Sequence, residues 1–275
     1  MALRPIPLLS LLLCLLLAFG GLLCHRGRAP RPAGASPSRG VVSLSPALTE
    51  LAYALGGGSS LVGRSSACDY PPEALSLPIM GDFALPDLER ILALHPRVVV
   101  SNDLVNPGVS RALEAQGIAV EVLPSRNVAE YLLAVKRMGE LLDCREAAGK
   151  EEGRVGKFLK EWAGRPGKSR RALVLVWDNP PMVAGEGTFC WEMLRLAGGD
   201  MDFQGREGYF VPGAEWLLSS QPECLVVFRE SALHAPAGLL REWKSRMVLF
   251  PQEDLLCRPG PRWTQGVTLL REALP

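Results

Sequence analysis

Apolar positions along this chain alternate between short, near-continuous runs, as in strands covered on both faces, and the three-to-four spacing of amphipathic helices. Val41–Leu44 is a β-branched run of the first kind. Ser45 then supplies an N-cap oxygen, and Pro46 takes the first helical position, where a missing N–H costs nothing. Glu50 lies near the helix start, where its charge suits the dipole, and Gly56 offers a left-handed stop. The same rhythm predicts further strands at Leu61–Gly63, Val98–Ser101 and Val120–Leu123, with helices near Pro46–Leu55, Leu85–Leu94, Gly108–Gln116 and Val128–Leu142.

From Arg145 to Ala163 the pattern becomes charged and helical, with Val155, Phe158, Leu159 and Trp162 on one stripe, and ends in Gly164-Arg165-Pro166-Gly167. This reads as a connecting helix. A second half restarts with the apolar run Ala172–Val176. Helices follow near Thr188–Leu196 and Ala214–Ser219, strands at Leu225–Phe228 and Met247–Phe250, and a last helix from Pro261. Strand–helix alternation on both sides of one helix predicts an α/β protein of two lobes, each a mainly parallel sheet flanked by helices, with a ligand cleft between them. The expected divisions are 1–40 for a leader and spacer, 41–143 for the first lobe, 144–167 for the connector and 168–275 for the second lobe. A single helical connector limits lobe closure.

The leader changes the picture of where the protein works. Arg4 precedes a leucine-dominated run, Ile6–Cys24, which reads as an export signal, with small-residue cleavage patterns at Ala18-Phe19-Gly20 and Ala33-Gly34-Ala35. Lipid attachment at Cys24 and an uncleaved anchor helix are the alternatives, and His25–Gly40 is a flexible spacer. Of 275 residues, 48% are hydrophobic and 21% charged, which is globular and enough for a real core. The net charge of +1 argues against a nucleic-acid partner.

Seven cysteines occur: Cys14 and Cys24 in the leader, then Cys68, Cys144, Cys190, Cys224 and Cys257. No CxxC spacing exists, and with three histidines (His25, His95, His234) no metal cluster can be assembled. Cys190 and Cys257 fall near predicted cleft loops and form the candidate disulfide pair. Gly58–Ser65 nearly matches a P-loop but leaves a helix and enters a strand, the reverse of the working order. No nucleophile–base constellation or paired active-site carboxylates emerge, so a non-enzyme is expected.

The segment Val41–Ala74 resembles the start of the cobalamin and ferric-siderophore class of substrate-binding proteins for ABC importers, the Fe/B12 periplasmic-binding domain, and its vitamin B12-binding members most of all. PDLERILALHPRVVV (Pro86–Val100), QGIAVEVLPS (Gln116–Ser125), WDNPPMVAGEGTF…LRLAGGD (Trp177–Asp200) and LLCRPGPR (Leu255–Arg262) agree in order and spacing. The resemblance implies two α/β lobes on the outer side of the cytoplasmic membrane, a monomer, no intrinsic cofactor, and a corrinoid (cobalamin or cobinamide) as transported ligand. Haem and ferric siderophores are the alternatives, as is a sensor or assembly subunit on the same fold. It implies as partners the importer's permease and its ATPase subunits.

Site residues follow by position. Phe83, Trp177 and Tyr209 are the cleft aromatics. Cys68, Asp69, Asn102, Asp103 and Arg258 are its polar contacts, with Arg262 structural. Where the cobalamin binders carry an aromatic residue, Ala67 leaves one wall of the pocket open. The resemblance also implies that Glu89 and Glu215, one per lobe near a helix start, dock onto permease arginines, an arrangement in which opposed charges set orientation and encounter rate.

Overall fold

The computed structural model describes residues 40–82, 85–102, 107–163, 170–178, 180–228 and 246–275. The expected leader with Cys24, and the expected cleft residues Phe83 and Asp103, lie outside the described residues. β1 (Val41–Ser43), β2 (Leu61–Arg64), β3 (Val98–Ser101) and β4 (Ala119–Val122) form one sheet in the order β2-β1-β3-β4, every pair parallel. Helices α1 (Pro46–Ala54), α2 (Leu88–Leu94) and α3 (Pro107–Ala115) punctuate these strands, and α4 (Val128–Leu141) follows β4. The 19-residue helix α5 (Arg145–Ala163) then leads to the second half.

There β5 (Arg170–Asp178), β6 (Pro181–Ala184), β8 (Tyr209–Phe210), β9 (Cys224–Phe228) and β10 (Met247–Phe250) make a sheet ordered β10-β9-β5-β6-β8, with β7 (Gly199–Asp200) beside the start of β5. The helices are α6 (Phe189–Ala197), α7 (Ala214–Ser220), the short α8 (Asp254–Cys257) and α9 (Trp263–Ala273). This second sheet is parallel through β10-β9-β5 and where β7 meets β5, whereas the β5–β6 and β6–β8 pairs are antiparallel. The sequence pattern predicts no strand between Trp177 and Thr188, because a four-residue run that itself opens on a proline is too short to show a period.

Local chemistry sets the element ends. Ser45, Asn127 and Thr188 cap α1, α4 and α6, accepting from the N–H groups of Leu48, Glu130 and Trp191. Gly56 stops α1 at φ 80°. Helix α2 starts at Leu88 rather than Leu85, because the Asp87 carboxylate accepts the Arg90 N–H at 3.1 Å and so takes the cap position.

Strand alternation divides the core into three. Val41, Val98 and Val100 face a central apolar cluster, while Val42 and Val99 face a second one with Ile91 and Leu113. In the other sheet Val174 and Val226 join the same central cluster, and Leu173, Leu175, Leu225 and Val227 pack with Phe203 and Trp216 on the far face. One face of each sheet thus feeds a shared core. Trp263, fully buried at the start of α9, lies within it. Its ring meets Tyr131 of α4, Phe158 of α5 and Phe189 of α6 edge-on, at centroid distances of 6.4, 5.2 and 6.3 Å. Beside it, Arg154 donates to Thr264 Oγ1 (2.7 Å) and to the Pro261 carbonyl (2.8 Å), and Tyr131 donates to Glu151 (2.6 Å). Burial, reinforced by Glu151, holds the Tyr131 phenol well above its ordinary pKa.

Because Trp263 touches helices from both halves, Trp263→Ala is expected to cost about 3–5 kcal/mol in urea unfolding. Leu133→Ala, on the exposed side of α4 (67% exposed), should stay within about 0.5 kcal/mol.

Candidate ligand-binding cleft

The carboxyl ends of β1, β2 and β3 lead into Ser45–Ala47, the Ser65–Tyr70 loop and Asn102, the edge where open α/β sheets gather binding loops. Facing them is the segment Pro251–Arg262, which follows β10. Two adjoining cavities lie between. One, of about 190 Å³, has Ala47 and Asn102 on one side and Asp254, Cys257 and Arg258 on the other. The second, of about 340 Å³, is bounded by Asp69, Phe228, Gln252, Asp254 and Arg262. Glu253 lines both.

Beneath them sits Glu50, whose side chain is 1% exposed. It does not serve the helix dipole as expected. It is the fifth residue of α1, on the buried stripe with Ala47 and Leu51, and its carboxylate is held by two guanidinium groups. Arg262 donates in a fork, Nε to Oε2 at 2.8 Å and an Nη to Oε1 at 2.7 Å. Arg258 donates to Glu50 Oε1 at 3.0 Å, to Asp69 Oδ1 at 2.8 Å and to Asp254 at 2.9 Å. The Arg262 guanidinium also lies 3.8 Å from the centre of the Tyr70 ring. Gly260 passes so close that a Cβ there would stand 3.2 Å from Glu50 Oε2. Burial opposes the Arg258 charge but is outweighed by Asp69, Asp254 and Glu50, so its pKa stands above the ordinary value. Burial raises the Asp254 carboxyl, with Arg258 pulling it back and Asp69 pushing it further.

Asp69, Asn102 and Arg258, three of the expected cleft residues, are placed around these cavities, with Arg258 donating to Asp69. Asn102 Oδ1 is buried and meets no donor among the described residues, an acceptor open to a ligand amide or hydroxyl. Cys68 is a different matter. It is fully buried, with Sγ 3.1 Å from Ser65 Oγ and 3.8 Å from the Ser43 carbonyl, so its thiol faces the fold rather than the cleft. Arg262 is structural, as expected. Trp177 (56% exposed) and Tyr209 (49% exposed) stand on the β5–β6–β8 side, and the Tyr209 hydroxyl is 3.8 Å from Cys190 Sγ. Glu89 and Glu215 are exposed in the first turns of α2 and α7.

Sequence reasoning missed Glu50, Asp254 and a third cavity of about 400 Å³ between the starts of α4 and α6. Trp191 lines it under the Arg195 guanidinium, 5.0 Å from the ring centre. Glu192 accepts the Val128 N–H there at 2.7 Å, a second tie between the halves. A carboxylate on the apolar stripe of α1 was the available signal for Glu50.

The sequence profile of the family described as periplasmic binding protein matches residues 41–240. The chain belongs to the periplasmic binding protein family. Members similar to it include the vitamin B12-binding protein of Pectobacterium carotovorum, 27% identical over 83% of this chain and 85% of that one. The structure of the periplasmic vitamin B12-binding protein BtuF of Vibrio cholerae superimposes with a TM-score of 0.73, at 24% identity, over 86% of this chain and 96% of that one. The periplasmic haem-binding protein BhuT, solved with two haems, gives a TM-score of 0.75 at 26% identity over 86% and 98%. The two-lobed architecture of these periplasmic binding proteins is that of the β1–β4 and β5–β10 sheets here.

Glu50→Ala strands two partly buried guanidinium groups, and a loss of about 3–5 kcal/mol in denaturant unfolding is expected. Arg258→Ala should cost less, since the Arg262 fork still covers Glu50. Burial raises the Glu192 pKa, with the Val128 N–H and Arg195 acting against it. The folded state thus holds that proton more tightly than the unfolded chain. The matching stability is complete below the unfolded value and is lost as pH rises through the folded one. Melting curves between about pH 4 and 7 should show the wild type losing ground to Glu192→Gln as pH rises, and a constant difference would refute the assignment.

Proposed function

We propose that this chain captures a corrinoid outside the cytoplasmic membrane and delivers it to an ABC importer. The observation that carries this reading is the match to a vitamin B12-binding protein along 83% of the chain, which spans both sides of the cleft. The charge balance of the cleft supports it. Arg258 is matched by Glu50, Asp69 and Asp254, and Arg262 by Glu50 and Asp254. Among the described residues both guanidinium groups of the cleft are already held by carboxylates of the fold, which disfavours a chelate that needs them for carboxylates of its own. Neutral amide side groups suit the Asn102 acceptor, and the Trp177 and Tyr209 rings offer apolar area for a flat macrocycle. Haem is the second reading, favoured by the structural likeness to BhuT.

Docking follows from the same reading. Glu89 and Glu215 engage permease arginines, one per lobe, and the permease works with its ATPase subunits. Export through the leader, with or without a lipid at Cys24, places the chain on that side of the membrane.

Titration of the purified chain with cyanocobalamin, dicyanocobinamide and haemin, followed by tryptophan fluorescence and calorimetry, tests the ligand. Saturable one-to-one binding of a corrinoid, tighter than haemin by at least about tenfold, is expected. The reverse order makes haem the ligand. Replacing Glu89 and Glu215 by Gln together should abolish uptake in cells with ligand affinity unchanged, and undiminished uptake removes the docking role.

A further inference from the structure

Cys190, in the first turn of α6, and Cys257, the last residue of α8, are 67 positions apart in sequence, yet their Sγ atoms lie 3.3 Å from one another. The Cys190 thiol also donates to the carbonyl of Leu256, at 3.2 Å, which fixes its direction toward α8. The other described thiols have different company. Cys68 sits on Ser65, Cys144 donates to the Leu142 carbonyl at 3.3 Å, and Cys224 is buried in β9.

The neighbours of this pair matter more than the pair itself. Two positions after Cys190, Glu192 accepts the Val128 N–H of the first lobe. Directly after Cys257, Arg258 holds Glu50 and Asp69 of the first lobe. The two thiols therefore sit between the two polar grips that the second lobe makes on the first.

We propose that Cys190 and Cys257 are a modification site, closing to a disulfide that clamps α6 to α8 and makes the two grips one unit. Bonding distance needs the sulfurs to approach by only about 1.3 Å, within reach of a side-chain rotation. The oxidant is a disulfide compound. One cysteine thiolate attacks it and expels a thiolate, and the second attacks the mixed disulfide and expels the other. Two protein thiols thus become one disulfide while the oxidant is reduced to two thiols. Contact with Cys190, together with burial, holds the Cys257 thiol well above its ordinary pKa, so exchange in the folded protein is slow and the bond forms as the chain folds. The clamp rests on this geometry and not on which chelate the cleft takes.

The test is to refold the reduced full chain in a glutathione buffer dominated by the oxidised form, alkylate the remaining thiols and map the peptides. A linked Cys190–Cys257 peptide is expected, with Cys68, Cys144 and Cys224 alkylated. The melting temperature should exceed that of the dithiothreitol-reduced chain by on the order of 10 °C. Cys257→Ser should be insensitive to the reductant, and the comparison of oxidised with reduced wild type stands even if that variant folds poorly. Alkylation of both Cys190 and Cys257 after refolding overturns the site, and a linked peptide with no change in melting temperature overturns the clamp.

Discussion

A carboxylate almost without access to water, shared by two guanidinium groups, organises this molecule. Glu50 belongs to the first described helix and Arg258 and Arg262 to the last tenth of the chain, so the ion pairs join residues more than two hundred positions apart. Burying one charge is expensive unless its partners are placed well, and here the Arg262 fork and the Arg258 contact satisfy both oxygens. That requirement explains the shape of the Arg258–Arg262 segment. Its proline and glycine steps carry the backbone over Glu50, where a side chain at Gly260 would press on the carboxylate. It also determines what the cleft can offer, because Arg258 meets Asp69 and Asp254 as well and is already engaged by the fold.

Around that polar centre the apolar core is shared rather than divided. Strand alternation sends one face of each sheet into the same cluster, and Trp263 fills it against rings from α4, α5 and α6. A helix that continues from the Arg258–Arg262 segment thus carries both the polar grip and the largest apolar side chain of the core. With Glu192 holding Val128 on another side, the two lobes meet through several kinds of contact, not through α5 alone.

Most of the fold was legible because the strands are near-continuous β-branched runs and the caps are standard oxygens. Val41–Ser43, Ser45 and Gly56 behave as their residue types dictate. Failures have local causes. The β6 run is too short to declare a period, and Asp87 displaces the start of α2 by capping it. In the cleft, Asp69, Asn102 and Arg258 could be named from loop position, but Glu50 could not be paired, because its partners lie more than two hundred residues away and no local pattern encodes that contact. Cys68 misled for the same reason. Its place in a cleft loop makes it a candidate contact, whereas its thiol turns in toward Ser43 and Ser65.

The antiparallel extension of the second sheet has an evolutionary consequence. β6 and β8 lie outside the parallel core, and Trp177 and Tyr209 keep about half their surface in water. Exposed positions on such an extension can change while the shared core and the Glu50 anchor stay untouched. The scaffold thereby separates the residues that keep it folded from those whose exchange it tolerates.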